Sequence, residues 1–192
     1  MAHRQEPPAL SSTNEFVTRL REHTSAAHRT AESASFMTNL LGGHGSVRLY
    51  AALLGQYFFV YDALERVGEL FRDDSNGRSF IDDALLRSGS IEVDLTYFWG
   101  TEWRDSLNAT DATRAYVDRL ENIASRGSEL FVAHHYTRYL GDLSGGRIIR
   151  TLVQRHYVIP DEALTFFDFP SIPKPVQYKD AYRTALEAAS WT

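Results

Sequence analysis

The chain of 192 residues contains no cysteine. That excludes disulfides, thiolate metal sites and thiol catalysis. No apolar run approaches the roughly 20 residues needed to cross a bilayer. The opening Met1-Ala2-His3-Arg4-Gln5-Glu6-Pro7-Pro8 has no apolar core of a secretory signal, so a cytoplasmic location is expected. Lysine is nearly absent: of 20 basic residues only Lys174 and Lys179 are lysine. A lysine at a predicted place is therefore more informative than an arginine. The net charge of −5 gives no footing for nucleic acid. There is no Gly-x-Gly-x-x-Gly after a strand, no P-loop and no Gly-x-Ser-x-Gly elbow. Convincing strand alternation, internal repeats and low-complexity tracts are also missing.

What is present reads as one folded domain. Hydrophobic residues at 43% and aromatics at 12% argue against disorder, and the length suffices for a sizeable core. Residues 1–11 read as a loose arm. Ser12 and Glu15 have the spacing of a capping box, and Phe16, Leu20, Thr24, Ala27 and Ala31 predict a helix to about Ala34. Phe36 to Leu41 make a shorter helix that stops at Gly42-Gly43. Residues 46–72 form a long helix through Tyr50, Leu53, Leu54, Tyr57, Tyr61 and Leu64. After the turn cluster Asp73-Asp74-Ser75-Asn76-Gly77, helices are predicted over 79–87, 91–99 and 111–125. Ser125-Arg126-Gly127 breaks before a further helix that Pro160 closes. Phe166-Phe167-Asp168-Phe169-Pro170 is an aromatic loop prolonged by Pro173 and Pro175, and 176–190 is a last helix. The fold class is all-α, a single-domain helical bundle over 12–192.

The helix before Pro160 is the unusual one. Leu130, Phe131 and Ala133 on one side, and Ile148, Ile149, Leu152 and Val153 on the other, recur at helical spacing. Between them stand Gly141, Gly145 and Gly146. Each glycine costs a helix about 1 kcal/mol relative to alanine. Repeated acceptance of that penalty points to bare backbone laid against something bulky or flat. Gly141 and Gly145 are four apart and share a face, with Asp142 at its edge.

Other constellations are open to two readings. Arg21, Thr24, His28 and Glu32 form one stripe at i, i+3, i+7 and i+11. The carboxylate of Glu32 can orient a metal-binding His28, although an isolated His-x-x-x-Glu is more often a surface pair. Tyr61 and Glu65 are one turn apart; Arg87, Arg138 and Asp142 lie in or beside apolar segments, where a buried network must be fully paired or the arginines must face solvent. Lys179 and Arg183 at i, i+4 repel slightly unless an anion faces them. His134 and His135 point roughly 100° apart on a helix, cannot chelate one metal together and read as structural.

The run Val132-Ala133-His134-His135-Tyr136-Thr137-Arg138-Tyr139-Leu140-Gly141-Asp142-Leu143-Ser144-Gly145-Gly146 resembles the signature of the haem oxygenase family. Thr24 to Glu32 with Phe36-Met37 is similar to that family's proximal helix. Tyr61 to Glu65, Tyr97-Phe98-Trp99-Gly100, Phe166 to Pro170 and Tyr178 to Arg183 also have counterparts. The resemblance covers most of the chain.

It implies haem held between a proximal helix and the glycine-containing distal helix. His28 would be the proximal iron ligand and Glu32 its partner. Thr24 would lie on the haem side of the same stripe. Gly141 and Gly145 would let the distal helix lie close over the porphyrin. Lys179, Arg183, Tyr136 and Arg21 would meet the propionates, Arg21 standing where relatives often have lysine. Asp142 would act through ordered water, with Tyr61, Arg138 and Arg87 in its network. The implied reaction opens haem b, substrate and cofactor at once, with O2 and electrons from a ferredoxin or flavin reductase, to biliverdin, CO and ferrous iron. Arg29, Arg147, Arg150 and Arg155 are candidates for docking the donor. A monomer without nucleic-acid or membrane partners is expected. Members of the family usually continue into one more helix near the haem pocket, whereas this chain stops at Trp191-Thr192. The alternatives are a haem-binding, storage or sensing protein without turnover, which would have no need of Asp142, and a helical thiamine-type enzyme, which would want a catalytic cysteine.

Overall fold

The computed structural model describes residues 15–189 and Trp191. Helices follow in the order α1 (Glu15–Glu32), α2 (Ser35–Leu41), α3 (Val47–Glu69), α4 (Ser88–Trp99), α5 (Trp103–Ser106), α6 (Asp111–Ile123), α7 (Ser128–His135), α8 (Gly141–Tyr157) and α9 (Pro175–Ala188). No strand occurs among the described residues, as the all-α expectation requires. No described helix is long and apolar enough to cross a membrane. The predicted arm over 1–11 and the Ser12 cap lie outside the described residues.

The centre of the molecule is α3, which packs against α4, α6 and α7. Tyr50, Leu54, Tyr61, Leu64 and Val67 are buried on it, spaced three, four or seven residues apart, so one stripe meets the core. Ser46 caps it, its side chain accepting from the Leu49 N–H at 3.2 Å. Thr110 caps α6 in the same way through the Thr113 N–H. The cap of α4 comes from another helix: Glu65 Oε1 accepts from the Arg87 N–H at 2.5 Å and the Ser88 N–H at 3.0 Å, a carboxylate at the positive end of a helix. Helix α1 packs against α2 and α9 but is exposed over most of its length.

Two sequence expectations are corrected. Residues 79–87 do not form one helix; Gly77–Phe80 and Asp83–Leu85 are separate 3₁₀ turns. The Asp82 side chain accepts from the Ala84 N–H, and that local bond starts a new turn instead of continuing the old one. The distal helix is not continuous either. Tyr136–Leu140 is a π-helical turn between α7 and α8, the kind of single-turn interruption that occurs inside α-helices at functional sites. Helix α8 runs to Tyr157, where Val158 adopts a left-handed conformation with φ 54°, two residues before Pro160.

The aromatic segment after α8 is gripped from two sides. Asp94, fully buried, accepts from the Thr165 N–H at 2.8 Å, the Thr165 hydroxyl at 2.7 Å and the Phe166 N–H at 3.0 Å. Arg87, also buried, donates from Nη1 to the Phe166 carbonyl at 3.2 Å and to the Asp168 carbonyl, and from Nε to the Leu85 carbonyl at 2.9 Å. Its guanidinium lies 3.9 Å from the Phe169 ring centroid. A carboxylate collects the segment's N–H groups while a guanidinium collects its carbonyls. Arg87 is thus a clamp on this segment; its hydrogen bonds do not run to Asp142.

Replacing Arg87 by methionine keeps the length but strands three carbonyls. The expected cost is about 3 kcal/mol, or a fall in Tm of roughly 10 °C. A thermal melt within 2 °C of the parent protein would show that the clamp is dispensable.

Candidate functional site

The site is built where α3, the π turn and α8 meet. Tyr57 and Tyr61 stand one turn apart on α3. Tyr61, fully buried, donates its hydroxyl to Asp142 Oδ2. Arg138, from the π turn, places its guanidinium 4.7 Å from the Tyr57 ring centroid and 5.0 Å from that of Tyr61. Its Nε is buried without a hydrogen-bond partner in the structure. Tyr139 donates to Glu65 Oε1 at 3.3 Å and meets Tyr61 edge-on at 5.6 Å. Phe166 closes the wall, 5.4 Å from Tyr61 and 5.7 Å from Tyr57.

This surrounding sets the acidity of Asp142. Burial raises it from 3.8 to about 6, against the opposing pull of Arg138, the Tyr61 hydroxyl and Arg87. Arg138 is itself held charged: burial works against it, but Tyr61, Tyr57 and Asp142 outweigh that. A cavity of about 410 Å³ opens beside Asp142, with Leu143, Phe167, Phe169 and Ile172 among its walls and Arg147 and Asp168 as its other charged groups. At about 30 Å³ per molecule it has room for several waters.

The glycines divide by role. A Cβ on Gly146 would meet the Phe167 ring at 3.2 Å, so this glycine serves packing inside the protein. A Cβ on Gly141 or Gly145 would meet nothing within 4 Å. Neither has a positive φ. Neither turn geometry nor internal packing therefore asks for glycine at these two positions. They leave a cradle on one face of α8 that side chains would fill, next to the paired carboxyl.

The cations expected to face an anion sit on α9. Lys179 Nζ donates to Ser144 Oγ at 2.9 Å, and Ser144 Oγ donates to the Leu140 carbonyl at 2.6 Å. Arg183 pairs with Asp180 at 2.9 Å, while its Nε is buried and has no partner in the structure. Tyr136 is half-buried, its ring 6.1 Å from that of Tyr182. On α1, His28 Nδ1 lies 3.2 Å from Glu32 Oε2, both side chains about two-thirds exposed at 68% and 67%. That contact occupies one ring nitrogen and leaves Nε2 for another partner. Thr24 spends its hydroxyl on the Leu20 carbonyl at 2.8 Å, and Arg21 is exposed. Tyr61, Arg138, Gly141, Asp142 and Gly145 are thus brought together, as are Lys179 and Arg183 on α9. His28, Glu32, Thr24 and Arg21 form a separate exposed stripe.

The histidine pair is structural, as expected. His134 Nδ1 is 2.9 Å from the Tyr116 hydroxyl, and His135 Nδ1 is 2.8 Å from the Tyr182 hydroxyl. Tyr57 escaped the sequence reading as a site residue, although its place four residues before Tyr61 was a usable signal. The Glu65–Tyr139 bond and the Lys179–Ser144 bond left no local trace. Of the docking candidates, Arg150 is occupied by Asp161 at 2.7 Å, whereas Arg29, Arg147 and Arg155 are exposed.

Residues 14–192 match the family described as "Heme oxygenase". The chain is 35% identical to a heme oxygenase of Guillardia theta over 91% of this chain and 74% of the relative. It is 38% identical to one from Pyropia yezoensis over the same shares. Among solved structures it is similar to heme oxygenase-1 from Synechocystis in complex with heme, with TM-score 0.88 and 35% identity over 92% of this chain and 80% of that one. A heme oxygenase from Leptospira interrogans gives TM-score 0.87 and 34% identity over 92% and 87%.

Two outcomes are expected of the protein without added ligand. Gly141→Ala and Gly145→Ala should each stabilise it by about 1 kcal/mol, because helix propensity rises at no steric cost. Gly146→Ala should not, since its Cβ presses on Phe167. Equal effects of all three on Tm would contradict the division. The second outcome concerns pH. The folded protein holds the Asp142 proton more tightly than the unfolded chain, about 6 against 3.8. Asp142 therefore lowers stability progressively as pH rises from about 4 to about 6, by roughly 3 kcal/mol at most. Asp142→Asn should remove that slope. Parallel pH–stability curves for the two proteins would refute it.

Proposed function

The chain belongs to the haem oxygenase family, and on that footing we propose that it opens haem to biliverdin, releasing CO and ferrous iron. The observation that carries this reading is the pair Gly141 and Gly145, open toward a ligand, with the carboxyl of Asp142, directly after Gly141, bonded to Tyr61. Haem fits these residues: a flat macrocycle suits the cradle, its propionates suit Lys179 and Arg183, and its iron suits a neutral imidazole oriented by a carboxylate. When bound, haem supplies both the iron that reacts with O2 and the ring that is cleaved.

His28 would hold the iron through Nε2, its ring fixed by Nδ1–H donating to Glu32. Arg21, Thr24 and Tyr136 complete the binding surface, with Arg21, Tyr136, Lys179 and Arg183 toward the propionates. Lys179 exchanges Ser144 for a carboxylate, a stronger acceptor for an ammonium. Gly141 and Gly145 would keep Cβ atoms away from the face of a bound haem.

Asp142 moves the proton. Its carboxyl, titrating at about 6, is matched to holding and releasing a proton near neutrality. Tyr61 keeps one oxygen turned toward α3, which directs the carboxyl's action through water in the adjoining space rather than by direct contact. Arg138 holds the carboxylate form in place once the proton has left. A haem store or sensor would need no buried carboxyl at this position, which favours turnover over simple binding. We further take the chain to work in the cytoplasm as a monomer, with electrons from a ferredoxin or flavin reductase docking over Arg29, Arg147 and Arg155.

Mixing the protein with haem, O2 and an electron donor should bleach the Soret band and yield a biliverdin spectrum; persistence of the haem spectrum would reject the reading. His28→Ala should change the axial ligation of added haem. Asp142→Asn should bind haem within about threefold of the parent yet form biliverdin about a hundredfold more slowly. An unchanged rate would remove Asp142 from the mechanism.

A further inference from the structure

Tyr182 lies on α9 between the two cations, three after Lys179 and one before Arg183. It turns inward. The side chain is 6% exposed, its ring lies 4.9 Å from Phe80 and stacks on His135 with an interplanar angle of 10°. Its hydroxyl is 2.8 Å from His135 Nδ1. His135 is the last residue of α7, 5% exposed, and the chain passes from it straight into the π turn that carries Tyr136 and Arg138 and delivers Gly141.

Two hydrogen bonds among the described residues join α9 to the distal segment: Lys179 to Ser144, and Tyr182 to His135. They differ in what a ligand does to them. The first is exposed and uses the ammonium that an incoming carboxylate would claim. The second is buried, and no ligand group competes for it. Burial holds the His135 imidazole down at about 3, so the ring is neutral and the bond persists across the physiological range.

We propose that the Tyr182–His135 bond is the positioning strut that sets the register of the α9 cations against the glycine face of the distal segment. The proposal rests on the haem reading above and deepens it. A flat ligand whose carboxylates are fixed by Lys179 and Arg183 presents one edge to Gly141 and Gly145; sliding α9 along the distal segment presents another. Neither Tyr182 nor His135 touches the ligand. Both act through the residues beside them in sequence.

The test uses Tyr182→Phe, which removes one oxygen and keeps the stacked ring, and the double variant His135→Phe/Tyr182→Phe, which leaves no buried imidazole unpaired. The first readout is binding: the ratio of affinities for haem and for haem dimethyl ester, which lacks the propionate charges. A merely structural role would weaken both ligands equally and leave the ratio alone. The strut predicts that Tyr182→Phe lowers the ratio about fivefold, the equivalent of one net hydrogen bond, and that the double variant lowers it no further. The second readout is the distribution of biliverdin isomers, which should broaden in both variants. An affinity ratio that Tyr182→Phe leaves unchanged would overturn the strut, whatever the isomer distribution. Lys179→Ala is the control: if it too leaves the ratio unchanged, the propionate reading fails, whereas a lowered ratio in Lys179→Ala beside an unchanged one in Tyr182→Phe rejects the strut alone.

Discussion

A carboxyl group set into a wall of aromatic rings is the constraint around which this site is arranged. Burial alone would protonate Asp142 or expel it. It stays because Tyr61 donates to it and the charge of Arg138 acts on it. Those two partners make demands of their own. Arg138 needs ring faces on which to rest its charge, and Tyr57 and Tyr61 provide them one turn apart on α3. The rings need a back wall, and Phe166 provides it. Phe166 in turn belongs to the single 3₁₀ turn Thr165–Phe167, too short to satisfy its own first N–H groups and last carbonyls, which would be unpaired if nothing gripped them. Asp94 and Arg87 do so. The chain of requirements runs from one carboxylate to a clamp on a different helix.

The distal segment shows how stability is traded for an open face. Gly141 and Gly145 forgo helix propensity of about 1 kcal/mol each, and no internal contact repays it. Gly146 in the same run does earn its place by packing against Phe167. Three glycines within six residues thus obey two different physical requirements. The cost falls where the helix is already interrupted, directly after the π turn. Around it, Tyr139, Leu143 and Gly146 keep the inward face buried, which lets the outward face remain bare.

Much of this was legible in the sequence. Apolar spacing located the long helices, Gly42-Gly43 and Gly127 marked stops, and His28 with Glu32 at four residues gave a contact that the structure contains. The π turn was not legible, for a definite reason. Phe131, His135, Tyr139 and Leu143 step by four residues, so the buried face looks α-helical straight through the interruption. The two 3₁₀ turns at 77–85 were hidden because apolar residues there also fall at helical spacing, while the deciding interaction is a local side-chain bond from Asp82. The grip of Arg87 on the aromatic segment was hidden because the carbonyls it holds there are 79 and 81 residues away. Residue type at a position carries no mark of such pairings, and neither does the capping of α4 by Glu65.

Burial acts on Asp142 and His135 with the same physics and opposite effect. Low dielectric disfavours the charged form of each. For the acid this raises its titration toward neutrality, to about 6, where a proton is readily held and readily lost. For the base it lowers titration away from neutrality, to about 3, where the ring is inert. One group is thereby made responsive and the other constant, seven residues apart on the same distal segment. The two belong together, because a framework that titrated along with its acid would shift whenever the acid did.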